Sequence, residues 1–189
     1  MKIILATLWL LVPLGFAAYH FGPGQEHLKL DKTEDVLSEA RQAVADEQWK
    51  EAVELYQDAL SKLPKDRKED SRRIQLEIAK ARMMCAGLPQ ARKHLASLMI
   101  ELNEDADASP ALKEETLSTL ANSRYYMTYL MKLEGQPAEQ WEPEIEAARQ
   151  EYKLLAQTGT DSEKHLKDLE AAIRLARAEP TVLYGLPLP

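Results

Sequence analysis

Three features of the sequence predict an all-α fold of antiparallel helical hairpins. Apolar residues recur at three- and four-residue spacing through most of the chain beyond residue 31. The breaks between these periodic segments are short, so successive helices must pack antiparallel. Only 7 Gly and 6% aromatic residues are present, which disfavours a β-sandwich.

The 189 residues include 24 Lys and Arg against 31 Asp and Glu, a formal net charge of −7. With 45% hydrophobic and 29% charged residues, the composition suits a globular domain with an appended segment. An acidic surface repels phosphate backbones, so no nucleic-acid partner is expected. The single cysteine, Cys85, excludes an internal disulfide and a Cys-rich zinc site.

Residues 3–18, IILATLWLLVPLGFAA, carry no charged or amide side chain, and Lys2 supplies a positive flank. Extended to Phe21, a helix here would measure roughly 28 Å, against about 30 Å of bilayer hydrocarbon. Residues 1–21 are therefore expected to form a single-pass signal anchor, with lipid contact through residues 3–21. The charge asymmetry places the bulk of the chain outside the cytoplasmic membrane, in the periplasm or cell envelope. The alternative is a cleaved signal peptide, with Gly15 and Ala17 as the small residues near the cut.

Residues 22–31, opening Gly22-Pro23-Gly24, read as a linker. Asp31 to Glu34 resembles a capping box and starts the helical domain, residues 32–178. Val36, Leu37, Ala40, Ala43 and Val44 mark the first helix. After a break at residues 46–48, Trp49, Ala52, Val53, Tyr56, Ala59, Leu60 and Leu63 mark the second, which Pro64 stops.

The run from Trp49 to Pro64, with Ala52, Tyr56 and Ala59 at fixed spacing and Ala40 in the preceding helix, resembles the tetratricopeptide repeat. Its small residues let helix axes approach, and its aromatic residue fills the groove to the next helix. Glu47 departs from the pattern, which favours Gly in the turn. A second copy follows 39 positions later. Ala40 maps to Ala79, Ala52 to Ala91, Tyr56 to Leu95, and Ala59-Leu60 to Leu98-Met99. In its turn, Gly87 is expected to end one helix and Pro89 to open the next.

The third hairpin departs from the repeat. Ser109 and Pro110 start a long helix, Ala111 to about Leu133, ended by Gly135 and Pro137. Pro143 is expected to open the following helix. Thr160 to Glu163 is read as a second capping box, starting a final helix that caps a short solenoid. About seven helices result. Residues 179–189, with three Pro and one Gly, read as a non-helical, extended tail. It either packs on its own domain or serves as a peptide ligand.

Motifs of chemistry are sparse, and no catalytic, cofactor-binding or metal-binding residue is expected. His20, His27, His94 and His165 lack metal-ligand spacing; His94 and His165 are placed on helix surfaces. Cys85 reads as a small core residue on an apolar face beside Ala81 and Met84. Asn103, Asp105, Asp107, Ser109 and Glu114 mimic the spacing of a calcium loop, but Ala108 stands where the turn needs Gly. Arg124, Tyr125 and Tyr129 form the densest aromatic segment, with Trp141 able to approach. Such residues dominate interface hot spots, yet could equally fill the join between the long helix and its neighbours.

The resemblance implies a membrane-anchored scaffold or adaptor, not an enzyme, that holds a protein or peptide in a concave groove. First helices of each hairpin would line it, making Gln42, Gln75, Arg82 and Arg124 partner contacts, with Tyr125, Tyr129 and Trp141 beside them. The folded part is expected to be monomeric. The alternatives are a secreted small-ligand or glycan-binding helical protein and a self-assembling envelope component.

Overall fold

A computed structural model describes residues 23–183, with side chains described from residue 31 apart from Pro180. The expected anchor at residues 1–21 and the tail beyond Leu183 lie outside the described residues. Among the described residues the chain is all-α: α1 (Pro23–Ala45), α2 (Trp49–Lys62), α3 (Lys68–Met84), α4 (Leu88–Glu104), α5 (Pro110–Leu133), α6 (Ala138–Thr158), α7 (Ser162–Arg177) and a single turn, α8 (Pro180–Leu183). No helix among them is long and apolar enough to cross a membrane. The chain divides into two compact units, Met1–Ser71 and Arg72–Pro189.

In the first unit α1 and α2 pack antiparallel through residues that allow close approach. Ala40, Ala52 and Ala59 are fully buried, and Ala43 and Tyr56 nearly so. The expected linker is helix instead: α1 begins at Pro23, where proline's fixed φ and missing N–H suit a first turn. Thr33 is consequently a buried residue inside the helix, nearly three turns past its start, and the box expected at residues 31–34 lies within the helix instead of at its end. Leu63 is extended (φ −67°, ψ 134°), as the steric demand of the following Pro64 requires.

The second unit begins one turn into α3 and has two cores. Leu76 and Ala79 of α3 meet Ala91, Leu95, Leu98 and Leu102 of α4, together with Ala108, Leu112 and Leu120. Ala121 and Tyr129 meet Ile145, Ala148, Tyr152 and Leu155 of α6, Ala172 and Leu175 of α7, and Leu183. The 24-residue α5 is long because its first half completes one core and its second half the other.

The turns of the first two hairpins are equivalent at the 39-residue period. Gln48 N–H donates to Ala43 O at 2.8 Å, and Gly87 N–H to Arg82 O at 2.9 Å. These are the wide closing bonds of a helix that ends in a left-handed residue. That residue is Glu47 (φ 58°) in one and Ala86 (φ 62°) in the other. Gly87 is thus not the left-handed position, contrary to the sequence expectation; it stands one residue later. A Cβ on Gly87 would meet Arg82 O at 3.0 Å and Arg82 Cβ at 3.1 Å, so close approach explains this glycine.

Three other boundaries differ from the sequence reading. Helix α6 starts at Ala138, leaving Pro143 inside it. The missing amide of Pro143 removes the bond to Glu139 O near the helix start, where a single lost bond is tolerated on an exposed face. The N-cap of α7 is Asp161, whose carboxylate accepts from Lys164 N–H at 3.1 Å, instead of Thr160. The tail opens with helix: Pro180 begins α8, and Leu183 is buried in the α5–α7 core.

Candidate functional site

The start of α5 is fixed by Ser109, whose Oγ accepts from Leu112 N–H at 3.5 Å, and by Pro110 in the first turn. From there Ala111, Glu115, Ser118 and Asn122 fall on one helix face, while Leu112, Thr116, Leu120 and Ser123 are buried on the other. The first face floors a groove of about 400 Å³. Lys80 of α3 forms one wall. Thr160, Asp161, Lys164 and His165, at the start of α7, form the other. The helices lining this groove are α3, α5 and α7; α4 and α6 contribute no lining residue.

Both walls are tied to the floor. Lys80 Nζ donates to Glu115 at 2.6 Å and to Glu77 at 2.7 Å. Burial opposes the ammonium charge, but these two carboxylates outweigh it and hold the Lys80 pKa above the usual lysine value. On the far side Glu114 Oε1 accepts from the Thr160 N–H at 2.7 Å and the Thr160 hydroxyl at 2.8 Å. The backbone bond first, then the hydroxyl, lowers the Glu114 pKa and keeps it ionised. Thr160, expected to cap its own helix, is a donor to α5 instead. A Cβ on Gly159 would lie 2.6 Å from Leu155 O and 3.0 Å from Glu114 Oε1, so glycine permits this crossing.

Asn122 is oriented from behind. The Tyr152 hydroxyl of α6 donates to Asn122 Oδ1 at 2.6 Å. Burial raises the pKa of that phenol, so it remains a donor. His165 is 3% exposed, a correction to its expected surface position. Its Nδ1 stands 3.6 Å from Asp168 Oδ2, and both atoms are buried without a hydrogen-bond partner.

None of the residues singled out in the sequence as partner contacts lines this groove. Gln42 is exposed in the first unit and donates to the Asp46 carboxylate at 3.0 Å. Gln75 Oε1 faces His94 Nε2 of α4 at 3.1 Å, so Gln75 is turned toward its own hairpin; His94 is half-buried, and burial lowers its pKa. Arg82 is half-buried in the last turn of α3, where its carbonyl closes the turn. Arg124 pairs with Glu144 at 2.9 Å and Glu151 at 3.1 Å on α6, and Glu144 also pairs with Arg92 of α4 at 3.2 Å. Burial, against the attraction of Arg124, pushes the Glu151 carboxyl up to about 7.

The aromatic residues do come together, inside the α5–α7 core. Tyr129 is buried, Tyr125 is half-buried and meets Tyr126 edge-on, and Trp141 packs against the same cluster. Lys132 Nζ sits 4.1 Å from the centre of the Trp141 ring and donates to Leu175 O at 2.9 Å and Ala176 O at 3.1 Å, closing the end of α7. These rings fill the join between the overlong helix and its neighbours.

The calcium-like spacing is dispersed among other tasks. Asp105 accepts from Arg72 at 2.6 Å, beside Glu101 at 2.8 Å; Ser109 caps α5, and Glu114 holds Thr160. The hydrogen bonds that Arg72 donates to Asp105 and Glu101 raise its pKa against the cost of burial. Cys85 is half-buried in the α3–α4 turn, and Met84 is 61% exposed, so the apolar face expected there is absent. No group of three or more His, Cys, Asp or Glu could hold a metal ion among the described residues. No known protein family matches this chain, and neither a curated protein nor a solved structure shows detectable similarity to it.

Proposed function

We propose that this chain is a membrane-tethered, TPR-like scaffold that holds a protein segment in the groove floored by α5. The observation that carries the reading is the groove's composition: α3 and α5, the first helices of their hairpins, and the closing helix α7 supply its helical walls and floor. In a stack of helical hairpins that is the side left open for a ligand. The 39-residue recurrence of the alanine contacts and of the turn bonds supports the repeat character. The charge-free run at residues 3–18 supports the tether, which would raise local concentration and make weak binding effective.

The test is site-specific photocrosslinking in the native cell. A photoreactive residue at Ser118, on the groove floor, should trap a discrete protein adduct in the membrane fraction. The same residue at Lys153, exposed on α6, should not. Equal labelling at both positions, or none at Ser118, overturns the reading.

A further inference from the structure

We infer that the ion-pair chain Arg92–Glu144–Arg124–Glu151 is a proton-operated brace on the back of α5 that sets the width of the groove on its front. Its consequence for a bound partner rests on the scaffold reading above. Asn122 lines the groove, and Arg124, two residues on, lies about 200° further round α5. Lys80 of α3 and Thr160 to His165 at the start of α7 wall the groove in front. Arg92 of α4 and Glu144 and Glu151 of α6 form the chain with Arg124 behind it. Helices α3 and α4 share one core, α6 and α7 share the other, and both cores close on α5. Each pair therefore moves about α5 as a packed unit. Spreading α4 from α6 behind α5 brings α3 toward α7 in front and narrows the groove.

The chain has one weak member. Arg124 serves two carboxylates, Glu144 at 2.9 Å and Glu151 at 3.1 Å, whereas Arg92 reinforces Glu144, at 3.2 Å. The Glu151 side chain is 16% exposed, and its Oε2 is buried without a hydrogen-bond partner. From α5 it faces Arg124, and from its own helix Glu144; α4 reaches it through Glu144. No charged group of α7 acts on it among the described residues. When Glu151 is protonated its burial costs little, and Arg124 is left to Glu144. When it is ionised, a bare carboxylate oxygen stands in the seam, and water reaches that oxygen as α6 withdraws. A carboxyl raised to about 7 from an ordinary 4.5 agrees: the closed brace holds the proton more tightly than an opened, hydrated one. The closed form is therefore favoured at low pH and lost as pH rises through about 7. The closed-to-open ratio falls by at most roughly 300-fold across that interval.

The experiment is double electron–electron resonance on the full chain in detergent micelles, in a Cys85→Ser background with nitroxides at two pairs of exposed positions. Lys93 and Lys153 report the α4–α6 seam; Met84, at the end of α3, and Ser162, at the start of α7, report the groove walls. Between about pH 5.5 and about pH 8.5 the first distance should lengthen and the second shorten, each by roughly 2 Å, with a midpoint near 7. Glu151→Gln keeps the shape of the neutral side chain and should hold both distances at their low-pH values. Distances that stay fixed with pH, or that still move in Glu151→Gln, overturn the brace. A seam that opens while Met84 and Ser162 keep their separation overturns its coupling to the groove. These distances need no partner, so each of those results leaves the scaffold reading standing. Absence of an adduct at Ser118 overturns that reading and leaves the brace to be judged by the distances.

Discussion

Two non-glycine residues, Glu47 and Ala86, occupy left-handed backbone at equivalent turns, which gives a direct measure of stored strain. An L residue there costs roughly 1–2 kcal/mol relative to right-handed backbone. Replacing it by glycine removes that cost but adds about 0.5–1 kcal/mol of unfolded-state entropy. Each substitution, Glu47→Gly or Ala86→Gly, should therefore stabilise by about 0.5–1 kcal/mol. Glu47 is exposed with no side-chain bond to lose, and Ala86 is exposed as well. The two turns are remote in sequence and share no partner, so the double variant should gain about 1–2 kcal/mol. For a chain of this size that is a rise in Tm of roughly 2–8 °C. Thermal denaturation followed by circular dichroism at 222 nm reads it. The neighbouring change Gly87→Ala should move the other way, since its Cβ would press on the Arg82 carbonyl. If the double variant melts at or below the wild-type temperature, left-handed strain at these turns is not what the geometry stores.

The remaining predictions concern the second unit. Ala148 is fully buried in the α5–α7 core, so Ala148→Leu should destabilise by about 2–3 kcal/mol through overpacking, read by urea midpoint. Lys132→Ala removes two carbonyl caps and the Trp141 contact; a loss of about 2–4 kcal/mol is expected, with a change in tryptophan emission. Glu151 is raised to about 7 from an ordinary 4.5, so the folded state binds the extra proton in that interval. Stability should therefore fall as pH rises from 4.5 to 7, by at most roughly 3 kcal/mol from this group. In Glu151→Gln that slope should disappear; an unchanged slope in stability against pH would assign it elsewhere.

Helix identity was legible because it rests on local terms: spacing of apolar residues, and the stop and start signals of Pro64, Ser109 and Pro110. So was the pairing of Ala40, Ala52, Ala79 and Ala91, because a small side chain at helical spacing signals close approach before any partner is known. The groove face of α5, with Ala111, Ser118 and Asn122, was not singled out in the sequence. Nor were its walls, since Lys80 and His165 are brought to α5 by packing across more than thirty residues of chain.

The sequence by itself determined the helices from α2 to α7 and the 39-residue recurrence, because each depends on neighbours a few residues apart; it missed the helical start at Pro23 and the turn at Pro180. Tertiary structure alone decided the task of each polar side chain. It turned Arg124 toward Glu144 and Glu151, enclosed Tyr129, pulled Thr160 from its own helix to Glu114 and fixed the Asn122 amide through Tyr152. A hydrogen bond or ion pair is short-ranged and directional, so it is settled only when packing brings two distant segments within about 3 Å of each other.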